Sequence, residues 1–232
     1  MRVLFASAAQ AFSVEYIEEV KRCVLEHLRQ EDFLEGFISA LSIIQLGRAR
    51  SFVGSHAQMF KGMCKTIGPA VIECFAPFLA SLKDDDKQQG KVSSDVFMGM
   101  QCLAAEMVGG IVRASVRWER EEDIAAARGV VLDALGHMMK QAETESVSIW
   151  ASCLRFCVYH RHPSKIGWLL TALFDNGLPP HGETNASSVH ACKRMMLMRQ
   201  VIKELGWRGA ALQRQFAHDL VPFLTSPLAQ VF

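Results

Sequence analysis

The sequence lacks three features that would have indicated other classes of protein. No apolar run reaches the about 18 uninterrupted residues of a membrane-spanning helix, so no such helix is expected. No alternating strand pattern extends beyond a few residues, which argues against a β-sheet fold. With 25 lysines and arginines against 24 aspartates and glutamates, the net charge is only +1. No broad electrostatic attraction to nucleic acid or to a membrane surface is therefore expected.

Cysteine usage and the first residues bear on the cellular compartment. The seven cysteines are odd in number and lie in apolar helical stretches, which does not suggest a disulfide framework and favours a reducing compartment. Residues 3–12 are mildly apolar, but Ser7 and Gln10 interrupt them, so a secretory signal is not expected. In a reducing compartment, the glycosylation acceptor triplet at 185–187 would stay unmodified.

The composition and the periodicity indicate a folded helical protein. Hydrophobic residues make up 50% of the 232 residues and charged residues 21%, which is typical of a chain with a packed core. Apolar residues recur at three- and four-residue spacing along most of the chain. One plan, a helix, a short polar turn and a second helix, begins near Ser55, Ser94, Ser146 and Ser188, at intervals of 39 to 52 residues.

This repetition predicts the fold class. Two helices per unit at a period of roughly 40 to 47 residues are typical of HEAT and armadillo repeats. We therefore predict an all-α, HEAT/armadillo-like helical-repeat solenoid of antiparallel helix pairs, with one domain over residues 1–232. The pattern is weaker over 1–50, and the repeats are expected at about 55–82, 94–143, 146–176 and 188–232.

A single helix pair is not expected to fold alone. Burying about eight large apolar side chains contributes on the order of 12 to 24 kcal/mol, whereas ordering ~40 residues costs ~1 to 2 kcal/mol for each residue. Neighbouring repeats must supply the difference. The apolar stretch from Leu220 to Phe232 accordingly predicts further repeats beyond it, and the isolated chain is expected to be sticky or partly unfolded.

Two polar stretches are predicted to be loops. One runs from Lys83 to Ser93, a polar cluster without helical periodicity, and the other from Leu178 to Asn185, which contains Pro179, Pro180 and Gly182. The first loop contains three successive aspartates at positions 84–86. An EF-hand loop needs alternating ligands, a central glycine and a final glutamate, so a solvated loop is expected here and not a calcium site.

Cysteine and histidine residues near position 157 are the main candidates for chemistry. Cys153, Cys157 and His160 fall at helical spacing, with His162 just beyond, and four such groups could hold zinc. Apolar neighbours favour core packing for the two cysteines. No local signature supports a catalytic cysteine. We therefore expect no catalytic, cofactor-binding or metal-binding residue, and a cysteine hydrolase or zinc protein would require Cys157 or His160 to be functional.

The helix that follows Ser94 carries two further features. Gly109 and Gly110 lack the flanking strand and the Lys-Ser/Thr pair of a phosphate-binding loop, so they are expected to permit a close helix approach or a bend. Arg113, Arg117 and Arg120 could form an anion site, but the neighbouring acids favour an ordinary charged face. Large aromatic residues near helix ends usually fill gaps between helices, and this structural role is expected for Trp118, Trp150, Trp168 and Trp207.

Four short sequence segments occur along the chain in the same order as in a known protein family. The first is Phe52 with the run Met59–Gly62, and the second is the helix Ala104–Trp118, which reads alanine-glutamate, apolar residues, glycine, arginine, small residues and tryptophan. The third is a basic-x-proline turn and a tryptophan helix, with Arg161, His162, Pro163, Lys165, Trp168 and Leu169. The fourth is Trp207 with Arg208. Over about Phe52 to Phe232, these segments resemble the single-chain HEAT-repeat proteasome activators, the proteasome activator complex subunit four family.

The resemblance implies a function. Members of that family are several times longer, so it implies an internal or truncated segment of a non-enzymatic scaffold. It also implies a protein of the nucleus and cytoplasm that caps the proteasome core particle and promotes degradation without ATP or ubiquitin. The family anchors through a C-terminal hydrophobic-tyrosine-x tail, whereas this chain ends Ala229, Gln230, Val231, Phe232, so docking by that route is not expected. Partner-binding residues stay unassigned.

A second reading of the repeats remains open. An unrelated helical-repeat adaptor, such as a transport or assembly scaffold that binds other proteins, would show the same periodicity. Neither reading includes a membrane, direct nucleic-acid binding or a cofactor.

Overall fold

A computed structural model of the protein describes residues 14–46, 55–82, 94–141, 144–174 and 185–224. Within these ranges the regular structure is helical and contains no strand, which confirms the predicted all-α class. The α-helices, numbered along the chain, are α1 Val14–Leu28, α2 Glu31–Leu46, α3 Ser55–Ile67, α4 Ala70–Ser81, α5 Ser94–Ser115, α6 Glu121–Gln141, α7 Thr144–Val158, α8 Gly167–Phe174, α9 Asn185–Leu205 and α10 Ala210–Leu224. Short 3-10 helices at Pro163–Ile166 and Gly206–Gly209 precede α8 and α10. No described helix combines the length and the apolar content that crossing a bilayer requires.

The turn between α3 and α4 shows how the sequence sets a helix boundary. Gly68 adopts a φ of +98°, which glycine reaches without a steric penalty, and its N–H donates to the carbonyl of Cys64 at 3.2 Å. Pro69 follows at the N-cap of α4 with a φ of −66°, where its missing N–H removes no helical hydrogen bond. Gly68 thus ends α3, and α4 begins directly after Pro69.

The chain divides into two compact units, Met1–Val130 and Val131–Phe232, and the division falls within α6. In the first unit α5 is the central helix, since every residue from Gln101 to Val112 is buried. Helices α2 and α3 both pack against α5. Phe75 of α4 meets Phe60 of α3 edge to face, with ring centroids 5.3 Å apart, a geometry that contributes about 0.5–1.5 kcal/mol beyond simple burial.

In the second unit, helix α9 packs against α7. Trp150 and Leu154 of α7 are fully buried, as are Leu197 and Met198 of α9. Arg194 is also buried, and its Nε donates to the carbonyl of Leu173 at 2.8 Å, near the C-terminal end of α8. A buried cation here satisfies one of the carbonyls that a helix end leaves without an intrahelical partner.

Two predicted helix boundaries are wrong by a few residues. Helix α5 ends at Ser115 and not near Trp118, and α9 begins at Asn185 and not near Ser188. After α5 the N–H of Trp118 donates to the carbonyl of Ser115 at 3.1 Å, a bond between residues three apart that forms a tighter turn than an α-helix. The apolar residues keep their helical spacing through this turn, so the sequence pattern does not show where the α-helix ends.

Some predictions lie outside the described residues. They concern Phe52, the loops at 83–93 and 178–184, and the chain after Leu224. The repeat boundaries stay a prediction.

Candidate partner-binding surface

The segment Ala104–Trp118, singled out by its sequence pattern, contains a buried carboxylate with a defined partner. Glu106 of α5 is 2% exposed, and its Oε2 accepts a hydrogen bond from the backbone N–H of Ala57 at 2.8 Å. Ala57 is the third residue of α3, and helix N–H groups at that position have no partner within their own helix. Nδ1 of His56 lies 3.6 Å from the same carboxylate oxygen. Glu106 therefore caps α3 from the neighbouring helix.

Gly110 lies one helical turn further along α5, where α3 comes closest. A Cβ atom at this position would lie 2.5 Å from Cβ of Phe60 and 2.8 Å from the backbone nitrogen of Lys61. A Cβ atom essentially never comes within 3.0 Å of another non-bonded heavy atom, so a side chain at this position would force α3 and α5 apart. Of the two roles expected for the paired glycines, the structure supports a close helix approach at Gly110.

These contacts give two residues of the sequence pattern, Glu106 and Gly110, a structural role. Glu106 and Gly110 fix the position of α3 against α5, and both are inaccessible to a partner. This part of the pattern sets the packing of the first unit and contributes no exposed group for binding.

The second unit presents an exposed aromatic surface, which we call the Trp207 edge and define as residues 155–165 and 203–214. Trp207 is 86% exposed and Tyr159 is 45% exposed. Trp150 is 1% exposed, and Trp118 and Trp168 are half-buried. The expectation that all four tryptophans fill gaps between helices is therefore wrong for Trp207, because the 3-10 turn at Gly206–Gly209 carries it beyond the end of α9.

Arg208 holds the two halves of the Trp207 edge together. Its Nη1 donates to the carbonyl of Arg161 at 2.7 Å, in the turn after α7. Its Nη2 and Nε donate to the carbonyls of Glu204 and Leu205 at 3.1 and 3.2 Å, which lie at the C-terminal end of α9, where a cation is favourable. The basic-x-proline turn, which includes Arg161, and the pair Trp207–Arg208 thus meet in space.

The turn after α7 has its own fixed geometry. His160 adopts a φ of +51°, the left-handed conformation that ends many helices, and its ring centroid lies 4.0 Å from that of Tyr159. His162 then begins the 3-10 helix, and its Nδ1 accepts from the N–H of Ser164 at 3.3 Å. These contacts hold Tyr159, His160 and His162 on an ordered, exposed turn.

The charge of the Trp207 edge is strongly one-sided. Its two stretches contain six lysines and arginines and a single acidic residue, Glu204. Oε2 of Glu204 accepts from Nε of Arg155 at 2.9 Å, and the Glu204 side chain is only 14% exposed. Lys165, by contrast, is exposed. The exposed charge of this surface is therefore positive around an indole ring.

An apolar cleft in the first unit is a second feature of the surface. It has a volume of about 260 Å³ and is open to solvent between α1, α2 and α3. Phe33 at its border is 46% exposed. The lining is almost entirely apolar and consists of Cys23, Val24, His27, Leu28, Phe33, Phe37, Met59, Met63 and Ile67. Such a surface offers mainly apolar contact to a partner.

The residues considered for zinc or nucleophilic chemistry separate in the structure. Cys153 and Cys157 are 1% and 0% exposed, which confirms that they pack in the core, whereas His160 lies on the exposed turn. Within the part of the chain that is described, no three histidine, cysteine or acidic side chains are grouped in a way that could hold a metal ion. Burial raises the pKa of the Cys64 thiol to about 12 and that of Cys102 to about 11, which keeps both protonated near neutral pH.

Of the arginines near the end of α5, Arg120 pairs with neighbouring acidic residues. Arg120 is exposed and contacts Glu122, with Nη2 and Oε2 2.6 Å apart, and its Nε lies 3.9 Å from Asp123. Arg117 is also exposed, whereas Arg113 is half-buried. The interpretation of an ordinary charged face is confirmed at Arg120.

Sequence reasoning missed the exposure of Trp207. One signal was present, because Trp207 lies between Gly206 and the pair Arg208–Gly209. Two glycines three residues apart are unfavourable in a helix interior, so the intervening tryptophan was a candidate for a turn and not for a packed helix face.

Comparison with known proteins gives one consistent result. The family described as "Proteasome activator complex subunit 4-like, HEAT repeat-like" matches residues 3–200. Proteasome activator complex subunit 4 of Xenopus laevis is 25% identical over 213 residues, which is 92% of this chain and 11% of that protein. The human protein of the same name is 24% identical over 220 residues, 95% of this chain and 11% of that protein.

A more distant relative extends the match along the chain. Proteasome activator complex subunit 4B of Danio rerio is 22% identical over 233 residues, which covers 99% of this chain and 12% of that protein. The chain thus spans about a tenth of the length of these relatives. No solved structure matches it.

The family match agrees with the fold. A HEAT-repeat family that covers most of the chain confirms the predicted helical-repeat class, in agreement with the described helices. The chain belongs to the proteasome activator complex subunit 4-like, HEAT repeat-like family.

Proposed function

We propose that this chain is a scaffold segment of a proteasome activator that caps the proteasome core particle and promotes degradation without ATP or ubiquitin. One observation carries the proposal, the family match over residues 3–200. Relatives from frog, cattle, human and zebrafish are all named as subunits of a proteasome activator complex. In this function the chain binds proteins and performs no reaction of its own.

The described structure supports a mechanical role. In the first unit Glu106 and Gly110 fix α3 against α5 through a capping bond and a close backbone contact. In the second unit Arg208 fixes one inter-helix turn against another. Contacts of this kind keep helices in a set arrangement and present their turns to partners, which is how helical-repeat proteins build binding surfaces.

The proposal includes a place in the cell. We expect the protein in the nucleus and the cytoplasm, where the core particle is its partner, and we expect neither a membrane nor a nucleic acid as a direct partner. The sequence supports this with seven cysteines that suggest no disulfide framework and with a net charge of +1. Immunofluorescence of the tagged protein tests it, and confinement to a secretory organelle would contradict it.

A binding experiment tests the partner. The full-length gene product that contains this chain is immobilised and incubated with purified core particle without ATP. Retention of core particle, and competition by unlabelled activator, are the expected results. Absence of retention over a range of salt concentrations would contradict the proposal and would favour an unrelated helical-repeat adaptor.

A further inference from the structure

We infer that the Trp207 edge is a docking surface for an acidic polypeptide segment of a partner protein. This goes beyond proteasome activation, because it assigns a binding surface and a partner chemistry to residues 155–165 and 203–214. Three features of the second unit carry it: an exposed indole on a fixed turn, a one-sided charge, and two exposed aromatic residues on the same edge.

The first feature is the cost of leaving Trp207 in water. Its side chain is 86% exposed, although tryptophan is among the residues that gain most from burial. The backbone beneath it is held on both sides. The carbonyl of Gly206 accepts from Nε2 of Gln213 at 2.9 Å, and the guanidinium of Arg208 donates to three carbonyls. Because the turn is held in place, binding restricts mainly the two side-chain dihedrals of Trp207, which is a small loss of conformational entropy for so large a ring.

The second feature is charge complementarity. Among the two stretches, only Glu204 is acidic, and Arg155 already pairs with it at 2.9 Å. Lys165, Lys203 and Arg214 are exposed, and His160 and His162 add donors on the same turn as Tyr159. Because the whole chain has a net charge of only +1, this excess of positive charge is local. An acidic segment fits it best.

The third feature favours a polypeptide over a small anion. Tryptophan and tyrosine are among the residues that most often carry binding energy in protein interfaces, and Trp207 and Tyr159 are both exposed on this edge. A small anion would contact the cations and leave the indole exposed. An acidic segment that also carries an aliphatic side chain can do two things at once. Its carboxylates contact the lysines and arginines, and its apolar group covers the indole ring.

Fluorescence anisotropy tests the inference directly. The probe is a short fluorescein-labelled peptide in which glutamates alternate with leucines, titrated with the full-length protein that contains this chain. Trp207→Ala and Lys165→Glu should each weaken binding at least about fivefold, and added salt should weaken the wild-type complex further. Lys65→Glu is the matched control, because Lys65 is also exposed but belongs to the first unit, and it should leave binding unchanged.

Several outcomes would overturn the inference. They include equal binding by wild type and both variants, equal loss in the Lys65→Glu control, and tighter binding of a labelled oligonucleotide than of the peptide. Iodide quenching provides an independent check, because a tryptophan that another part of the protein covers stays unquenched and leaves no surface for a partner. Circular dichroism confirms that each variant keeps its helices. No core particle is present, so failure here is distinct from failure to bind the proteasome.

Discussion

Oε2 of Glu106 lies 2.8 Å from the backbone nitrogen of Ala57, 49 positions earlier in the chain. A side chain of one helix thereby supplies the N-terminal cap of another. The arrangement offsets the cost of burying a carboxylate, because the N-terminal end of α3 carries partial positive charge and an unpaired N–H group. Packing of two helices and capping of one of them depend on the same residue.

Replacing Glu106 should destabilise the first unit. Glu106→Ala leaves the Ala57 N–H buried without an acceptor and is expected to cost about 1–3 kcal/mol of unfolding free energy. Glu106→Gln keeps an acceptor oxygen and should cost less. Urea unfolding followed by circular dichroism measures both. Glu35→Ala, at an exposed position of α2, is the control and should stay within about 0.5 kcal/mol of wild type; a similar loss in the control would contradict the capping role.

A methyl group at Gly110 should separate α3 from α5. Its Cβ would lie 2.8 Å from the backbone nitrogen of Lys61, and backbone cannot move aside as a flexible side chain can. Gly110→Ala is therefore expected to lower stability by about 1–3 kcal/mol. Gly62→Ala is the control on α3, since nothing lies within 4 Å of a Cβ there, and it should raise stability by about 0.5–1 kcal/mol. If Gly110→Ala and Gly62→Ala both destabilise the protein, the close approach of α3 and α5 is not the reason for the loss of stability.

These two residues show what could be predicted from sequence. Periodicity located most helices, because a helix buries one face and its apolar residues recur with the helical repeat. The alternatives for the paired glycines, a close approach or a bend, could not be separated, because the choice depends on which helix lies opposite. The partner of Glu106 is equally absent from any local pattern, since Ala57 contributes only a backbone N–H.

Trp207 shows where the same reasoning fails. A large aromatic residue near a helix end is usually buried, and that general tendency was correct for Trp150 and wrong for Trp207. The difference arises from the 3-10 turn and from the contact between Arg208 and the carbonyl of Arg161. That contact joins residues 47 positions apart, and no helical pattern encodes it.

The buried thiol of Cys64 should make stability depend on alkaline pH. Burial raises its pKa from 9.0 to about 12, so between these values the unfolded chain loses a proton that the folded chain keeps. The unfolded state then binds fewer protons, and stability falls as pH rises, by up to about 1.4 kcal/mol per pH unit from this group. Unfolding free energies of wild type and Cys64→Ala, measured above pH 9, should therefore converge. A difference in unfolding free energy between wild type and Cys64→Ala that stays constant above pH 9 would contradict the burial effect.

The apolar cleft should make the isolated chain bind apolar dyes. Its volume is about 260 Å³, its lining is almost wholly apolar, and Phe33 at its border is 46% exposed. We expect the fluorescence of anilinonaphthalene sulfonate to rise with the wild-type chain and to fall in Phe33→Glu, because a charge disfavours an apolar ligand. Val221→Glu, at a position 58% exposed outside the cleft, is the control. Equal dye binding by all three proteins would place the dye elsewhere.

The rate at which purified proteasome core particle hydrolyses a fluorogenic peptide tests the central claim most directly. The full-length gene product that contains this chain is added at increasing concentration, without ATP and without ubiquitin. We expect the rate to rise with concentration and to saturate, because binding sites on the core particle become filled. An unchanged rate at concentrations that saturate binding, or no binding at all, would contradict the account.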